Sequence, residues 1–78
     1  MNSIDKQVKL LMSEVFKVSP DSINSDTSPH SLEKWDSFNH LKMVLEFEDF
    51  FCIKFDEDEI STLVNFDIIV ATISSYVE

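Results

Sequence analysis

Asp36-Ser37-Phe38-Asn39-His40-Leu41-Lys42-Met43-Val44-Leu45-Glu46-Phe47-Glu48-Asp49-Phe50-Phe51 is the stretch that decides the fold class. At about 100° per residue, Asn39, Lys42, Glu46 and Asp49 fall on one narrow polar stripe. Phe38, Leu41, Met43, Val44, Leu45, Phe47, Phe50 and Phe51 take most of the remaining surface. The spacing predicts a helix, and so wide an apolar girth predicts a central one that touches more than one neighbour. Asp36 suits the N-cap, because a short carboxylate accepts first-turn N–H groups and complements the positive end of the helix dipole.

Working outward, Ile4, Val8, Leu11, Met12 and Val15 recur at helical spacing and predict a helix from Ile4 that ends near Val18, ahead of Pro20. Asn2 or Ser3 is available as its cap, and Lys6, Gln7, Lys9, Ser13 and Glu14 are expected toward solvent. Between the two helices lies a long polar connection with Pro20, Pro29 and a Ser/Asp/Asn/Thr cluster. Loops of this length in small domains need anchors or a function, and Ile23, Leu32 and Trp35 are the candidate anchors. Asp56-Glu57-Asp58-Glu59 opens a short helix that leads into Ile60 and Leu63. After a potential cap at Asn65, Phe66, Ile69, Val70, Ile73 and Val77 keep the 3.6-residue period for a dozen residues. Their Ile/Val/Thr-rich composition also suits a strand, but the persistent period favours a helix. The expectation is one all-α domain spanning residues 1–78: a small four-helix bundle, three main helices and one short one, with a long loop between the first two.

The chain has 78 residues, enough for a single small core. Asp and Glu total 15 against 6 basic residues, all Lys, for a net charge of −9. Such a surface lacks the clustered Lys or Arg that phosphate backbones require, so no nucleic acid partner is expected and partners should be basic. The hydrophobic content of 44 %, with seven Phe, is too apolar for a disordered acidic tail. Glycine is absent, which removes the Gly-rich phosphate loops, the G-x-S-x-G elbow and the EF-hand glycine. The single cysteine, Cys52, permits no internal disulfide. No apolar run approaches the roughly 18 residues of a membrane span and no signal-peptide pattern opens the chain; the expectation is a cytoplasmic monomer without membrane insertion.

Candidate chemistry is sparse. The Asp56–Glu59 run fails as a calcium loop, since Ile60 stands where an oxygen ligand belongs and Ser61 where glycine is needed. His30 and His40 are ten residues apart, have no Cys nearby, and read as ordinary surface or half-buried histidines; no metal and no catalytic residue is assigned. With no motif and little room for a cleft, an enzyme is not expected. Trp35-Asp36-Ser37-Phe38 remains. A serine just after an N-cap acid, at the mouth of the longest loop, is exposed, and the neighbouring N–H groups and helix dipole favour a phosphate ester there.

From this tetrapeptide the sequence resembles the acyl carrier proteins, whose hallmark is Asp-Ser-Leu with an arm-bearing serine; here the triplet is Asp36-Ser37-Phe38. The resemblance extends over nearly the whole chain. It includes Val18, Ile23 and Asp26-Thr27 upstream, and Leu41, Val44, Phe47, Glu48-Asp49, Phe51 and Ile53 downstream. Asp56-Glu57-Asp58-Glu59 with Ile60, and Phe66-Asp67-Ile68-Ile69, resemble the starts of the third and last helices. It implies a 4′-phosphopantetheine arm, moved from coenzyme A onto Ser37 by a phosphopantetheinyl transferase, whose thiol carries an acyl, aminoacyl or related group as a thioester. Asp36 would hold the helix start and aid recognition by the transferase, and Phe38 would pack beneath the loop beside the arm. The implied partners are that transferase, an acyl- or aminoacyl-loading ligase, and a downstream transferase or synthase with basic docking patches. Asn39, Lys42, Glu46 and Asp49 are the candidate docking residues. Phe38, Lys34-Trp35 and Lys42 depart from the fatty-acid-synthesis pattern. Trp35-Asp36-Ser37 followed by Asn39-His40-Leu41 looks more like the stand-alone carriers of specialised pathways, and Asp-Ser-Phe also occurs in D-alanyl carriers. The rival expectation is an unmodified acidic helical domain that binds a basic protein through Glu46, Asp49 and Asp56 to Glu59.

Overall fold

The computed structural model describes residues 4–77, which form α1 (Ile4–Phe16), a 3₁₀ turn at Pro20–Ser22, α2 (Ser37–Phe51), α3 (Glu57–Thr62) and α4 (Phe66–Val77). The fold is all-α, a small four-helix bundle, as the periodicities predict. The cap expected at Asn2 or Ser3 lies outside the described residues. α1 buries Ile4, Val8, Met12, Val15 and Phe16 and packs on both α2 and α4. Full burial of Phe16, Phe47 and Ile69, each below 2 % exposed, contributes roughly 1.5–3 kcal/mol apiece. Ser13 departs from expectation: it is buried, and its hydroxyl donates to the Leu10 carbonyl at 2.7 Å. That local bond satisfies the only polar atom of a small side chain, so its burial costs little.

The expectation of a centrally buried α2 is corrected. Only Met43, Val44 and Phe47 are buried on it; Phe38, Leu41, Leu45 and Phe50 are exposed. A helix laid against one layer buries a single stripe, and the six residues of α3 are too few to roof the opposite side.

With no glycine in the chain, α1 and α2 end on left-handed residues of other types: Lys17 at φ 58° and Cys52 at φ 57°. The reversal lets Val18 N–H reach Ser13 O at 3.0 Å and Ile53 N–H reach Glu48 O at 3.1 Å. Each satisfies a helix-end carbonyl at a steric cost of about 1 kcal/mol for a residue bearing a Cβ. The turn at Lys17 is also why α1 stops at Phe16, two residues short of the expected end.

The long loop is pinned at more places than its apolar residues foretell. Ile23 and Trp35 are buried and Leu32 packs against the core. Thr27 is buried as well: its hydroxyl accepts Asn24 N–H at 2.8 Å and its carbonyl accepts Phe66 N–H at 3.2 Å. The loop thereby satisfies an otherwise free donor at the start of α4. Asn65 caps that helix through Ile68 N–H at 2.8 Å.

α3 is held from two sides. Glu48 of α2 accepts Phe55 N–H at 2.9 Å just ahead of it. Glu59 accepts Asp56 N–H at 3.0 Å and a short bond from the Tyr76 hydroxyl of α4, with the Tyr76 ring edge-on to Phe55 at 5.5 Å. The Glu59 hydrogen bond pushes the Tyr76 hydroxyl up to about 12. The same bond, helped by Asp56 N–H, lowers Glu59 below its ordinary 4.5. The neutral phenol is the bonded form, so this contribution is complete below pH 10 and is lost as pH rises through about 12. At the acid end the bonded form is the carboxylate, so the contribution is present above 4.5 and is lost as pH falls through the lowered value. Tyr76 is the only tyrosine, so its ultraviolet titration is unambiguous. It is expected to ionise well above the usual value in the native chain and to return toward 10 in Glu59→Gln; an unchanged midpoint in that variant would show that the α3–α4 tie does not exist in solution.

Candidate functional site

Asp36 caps α2 as its residue type suggests. With extended backbone (φ −101°, ψ −178°) its Oδ1 accepts Asn39 N–H at 2.8 Å, and its carbonyl accepts the first helical bond, from His40 N–H at 2.8 Å. Asn39 turns back so that Nδ2 donates to Lys34 O at 2.9 Å. These three bonds fix the entry of the chain into α2, and Ser37 is the residue they hold at the exposed first position.

Four other serine hydroxyls show the local bond that a serine makes once a carbonyl lies one turn behind it. Ser13, Ser31, Ser61 and Ser75 each donate to a carbonyl three residues back. The equivalent carbonyl for Ser37 is Lys34 O, and Asn39 already occupies it. Ser37 itself is exposed, which leaves its hydroxyl toward solvent beside the unpaired N–H groups of the first turn.

Behind Ser37 the wall is rigid. Trp35 is 4 % exposed, tilted against Phe16 at 5.4 Å and near-parallel to the His40 ring, with centroids 6.2 Å apart. Its indole N–H donates to His40 Nδ1 at 2.9 Å. Because Nδ1 accepts, the proton of the neutral ring sits on Nε2, which lies 2.8 Å from the Ile60 carbonyl and donates to it. Loop, α2 and α3 are joined through one side chain.

An open groove of about 440 Å³ runs between these elements, walled by Trp35, Leu41, Ile60, Leu63 and Val64 with Ser37, Asp36 and His40 at its edge. Its walls are mostly apolar, and Ser37 sits on its rim. The residues fit a phosphodiester-linked arm at Ser37: an accessible hydroxyl, a helix start that favours anionic oxygens, and an apolar surface alongside.

Phe38 is corrected. It is 75 % exposed and does not pack beneath the loop. It stands nine positions before buried Phe47, which at about 100° per residue places it on the opposite side of α2. Leu41 and Leu45, 56 % and 64 % exposed, continue an apolar stripe from Phe38 along the outer face. Lys42, Glu46 and Asp49 are exposed on the same side of the helix, outside the groove. Asn39 is half-buried and is occupied in holding the loop, so its visible role is at the helix start. Sequence reasoning missed two features. The outward stripe was available from the helical angle between Phe38 and Phe47. The Trp35–His40–Ile60 connection joins residues up to 25 positions apart, and nothing local announces it.

Among the described residues no group of three or more His, Cys, Asp or Glu side chains is placed to hold a metal ion. No described helix is long and apolar enough to cross a membrane. No family model and no curated protein matches the chain.

Proposed function

We propose that the chain is a carrier protein that holds an acyl, aminoacyl or related group as a thioester on a 4′-phosphopantetheine arm attached to Ser37, and delivers it to partner enzymes. The observation that carries this reading is the free Ser37 hydroxyl at a capped helix start, on the rim of an apolar groove. Attachment by a phosphopantetheinyl transferase forms a serine O–P bond as the phosphoanhydride of coenzyme A breaks; adenosine 3′,5′-bisphosphate leaves, and the hydroxyl proton passes to a base of the transferase. Asp36 and Asn39 hold the serine in place for it. The arm, once attached, supplies a thiol for thioester exchange; the protein supplies position and an apolar surface.

His40, the histidine nearest the serine in sequence, spends both ring nitrogens on Trp35 and Ile60. That supports a carrier without catalysis of its own. The Phe38–Leu41–Leu45 stripe, edged by Lys42, Glu46 and Asp49, suits a partner with an apolar pocket ringed by basic residues. A loading ligase and a downstream transferase or synthase would share that surface in turn.

Incubation with coenzyme A and a broad-specificity transferase, followed by intact mass measurement, is expected to add one phosphopantetheine to the native chain and none to Ser37→Ala. No gain in the native chain would leave instead an unmodified acidic domain that binds a basic protein, and an equal gain in the variant would overturn the assignment of the arm to Ser37.

A further inference from the structure

His40 is a ring with no spare atom. Nδ1 accepts from the Trp35 indole at 2.9 Å and Nε2 donates to the Ile60 carbonyl at 2.8 Å, and the planes of the imidazole and the indole lie within 19° of each other. Trp35 and Ile60 stand on the two walls of the groove beside Ser37. An imidazolium carries N–H on both nitrogens and has no acceptor. Its Nε2–H still serves Ile60, while its Nδ1–H points at another donor.

We propose that His40 is a pH-sensitive latch on this groove: neutral, it ties the Trp35 wall to the α2–α3 wall, and protonated it keeps its bond to α3 but loses its bond to Trp35, so that the tie between the two walls is broken. This holds whether or not Ser37 bears an arm. The charged groups around the ring do not substitute for the lost acceptor. On α2, Asp36 lies one turn earlier at the groove edge and has Oδ1 committed to Asn39 N–H. On the loop, His30, Glu33 and Lys34 are exposed. On α3, Asp56 to Glu59 precede Ile60, and Glu59 faces Tyr76. From α1, the contact behind Trp35 is the uncharged ring of Phe16. The acids attract an imidazolium, yet none is positioned to accept from the indole in its place. Six-residue α3 is held by Glu48, Glu59 and Tyr76, none of which replaces the lost bond to Trp35.

Trp35 is the only tryptophan, and its indole N–H gives one resolvable amide-region signal. In the full chain, exchange protection of that proton, corrected for the intrinsic pH dependence, is expected to fall about ten-fold from a sample whose imidazole ¹⁵N shifts show a neutral His40 to an acidified one whose shifts show the imidazolium, the equivalent of one lost hydrogen bond. His40→Asn retains an acceptor near the Nδ1 position and cannot titrate, so its protection is expected to stay constant; His30→Asn is expected to respond like the native chain. Constant protection in the native chain, or a fall that persists in His40→Asn, overturns the latch. Should His40→Asn fail to fold, the native ring decides alone: imidazole ¹⁵N shifts at the higher pH are expected to show protonated Nε2 and bare Nδ1, and the opposite tautomer overturns the proposal.

Discussion

Trp35→Ala is expected to lower the unfolding free energy by about 3–5 kcal/mol, the range for emptying an aromatic site in a packed core. Stability of order 0.05–0.15 kcal/mol per residue gives a domain of this length about 4–12 kcal/mol in total, so the variant should lose a large share of it. The effect has three sources. The indole is 4 % exposed, so a cavity opens beside Phe16. The His40 Nδ1 acceptor loses its donor. The far end of the long loop loses its heaviest anchor, directly before the cap that positions Ser37. Urea denaturation followed by circular dichroism measures the loss without relying on tryptophan emission. Trp35→Phe separates the parts: it refills most of the volume and keeps only the hydrogen-bond defect, about 1–2 kcal/mol. A loss under about 1 kcal/mol in Trp35→Ala would mean that Ile23 and Thr27 suffice to hold the loop.

Phe38→Asp is expected to do the reverse: stability within about 0.5 kcal/mol of the native chain, and partner engagement down by about 2 kcal/mol, roughly thirty-fold in kcat/KM for modification of Ser37. The stability forecast follows from exposure. At 75 % accessible the ring has little burial to lose, and an acid in the first turn of a helix is favoured by the dipole. The kinetic forecast follows from position, one residue after the attachment point and at the head of an outward apolar stripe. Because Phe38 adjoins Ser37, a change there could act on the serine directly. Leu45→Asp, two turns away and 64 % exposed, isolates the docking contribution, and it too is expected to slow modification at unchanged stability. Native kinetics in both variants would remove the stripe from the interface and leave Lys42, Glu46 and Asp49 to account for partner choice. A salt titration complements the pair, since charge attraction is screened over about 10 Å at 0.1 M whereas apolar docking persists.

Much of the fold was legible in local pattern. The apolar spacing marked α1, α2 and α4 to within a residue or two. Asp36 and Asn65 declared two helix starts, because a short polar side chain that can reach N–H groups one turn on works the same way in any context. Ser37 was legible for a related reason: a serine immediately after a cap has no helical carbonyl behind it. Phe38 was misplaced because hydrophobicity says that a side chain would benefit from burial and is silent about whether anything covers it. Thr27 and Ser13 were missed because their burial depends on neighbours that hydrogen-bond them, and polarity alone argues for solvent.

The sequence by itself determined that this is an acidic, glycine-free, all-α chain with one exposed serine at the start of its longest helix. Those are properties of composition, of the 3.6-residue period and of capping, all of which act over a few residues. The tertiary structure alone decided which side of α2 faces the core, and so turned Phe38, Leu41 and Leu45 outward as a surface. It alone brought Ile60 to His40 and His40 to Trp35, forming the walls of a groove beside Ser37. Both depend on how α2 rests on α1 and where the short α3 comes down, contacts between elements distant in sequence that no local period encodes.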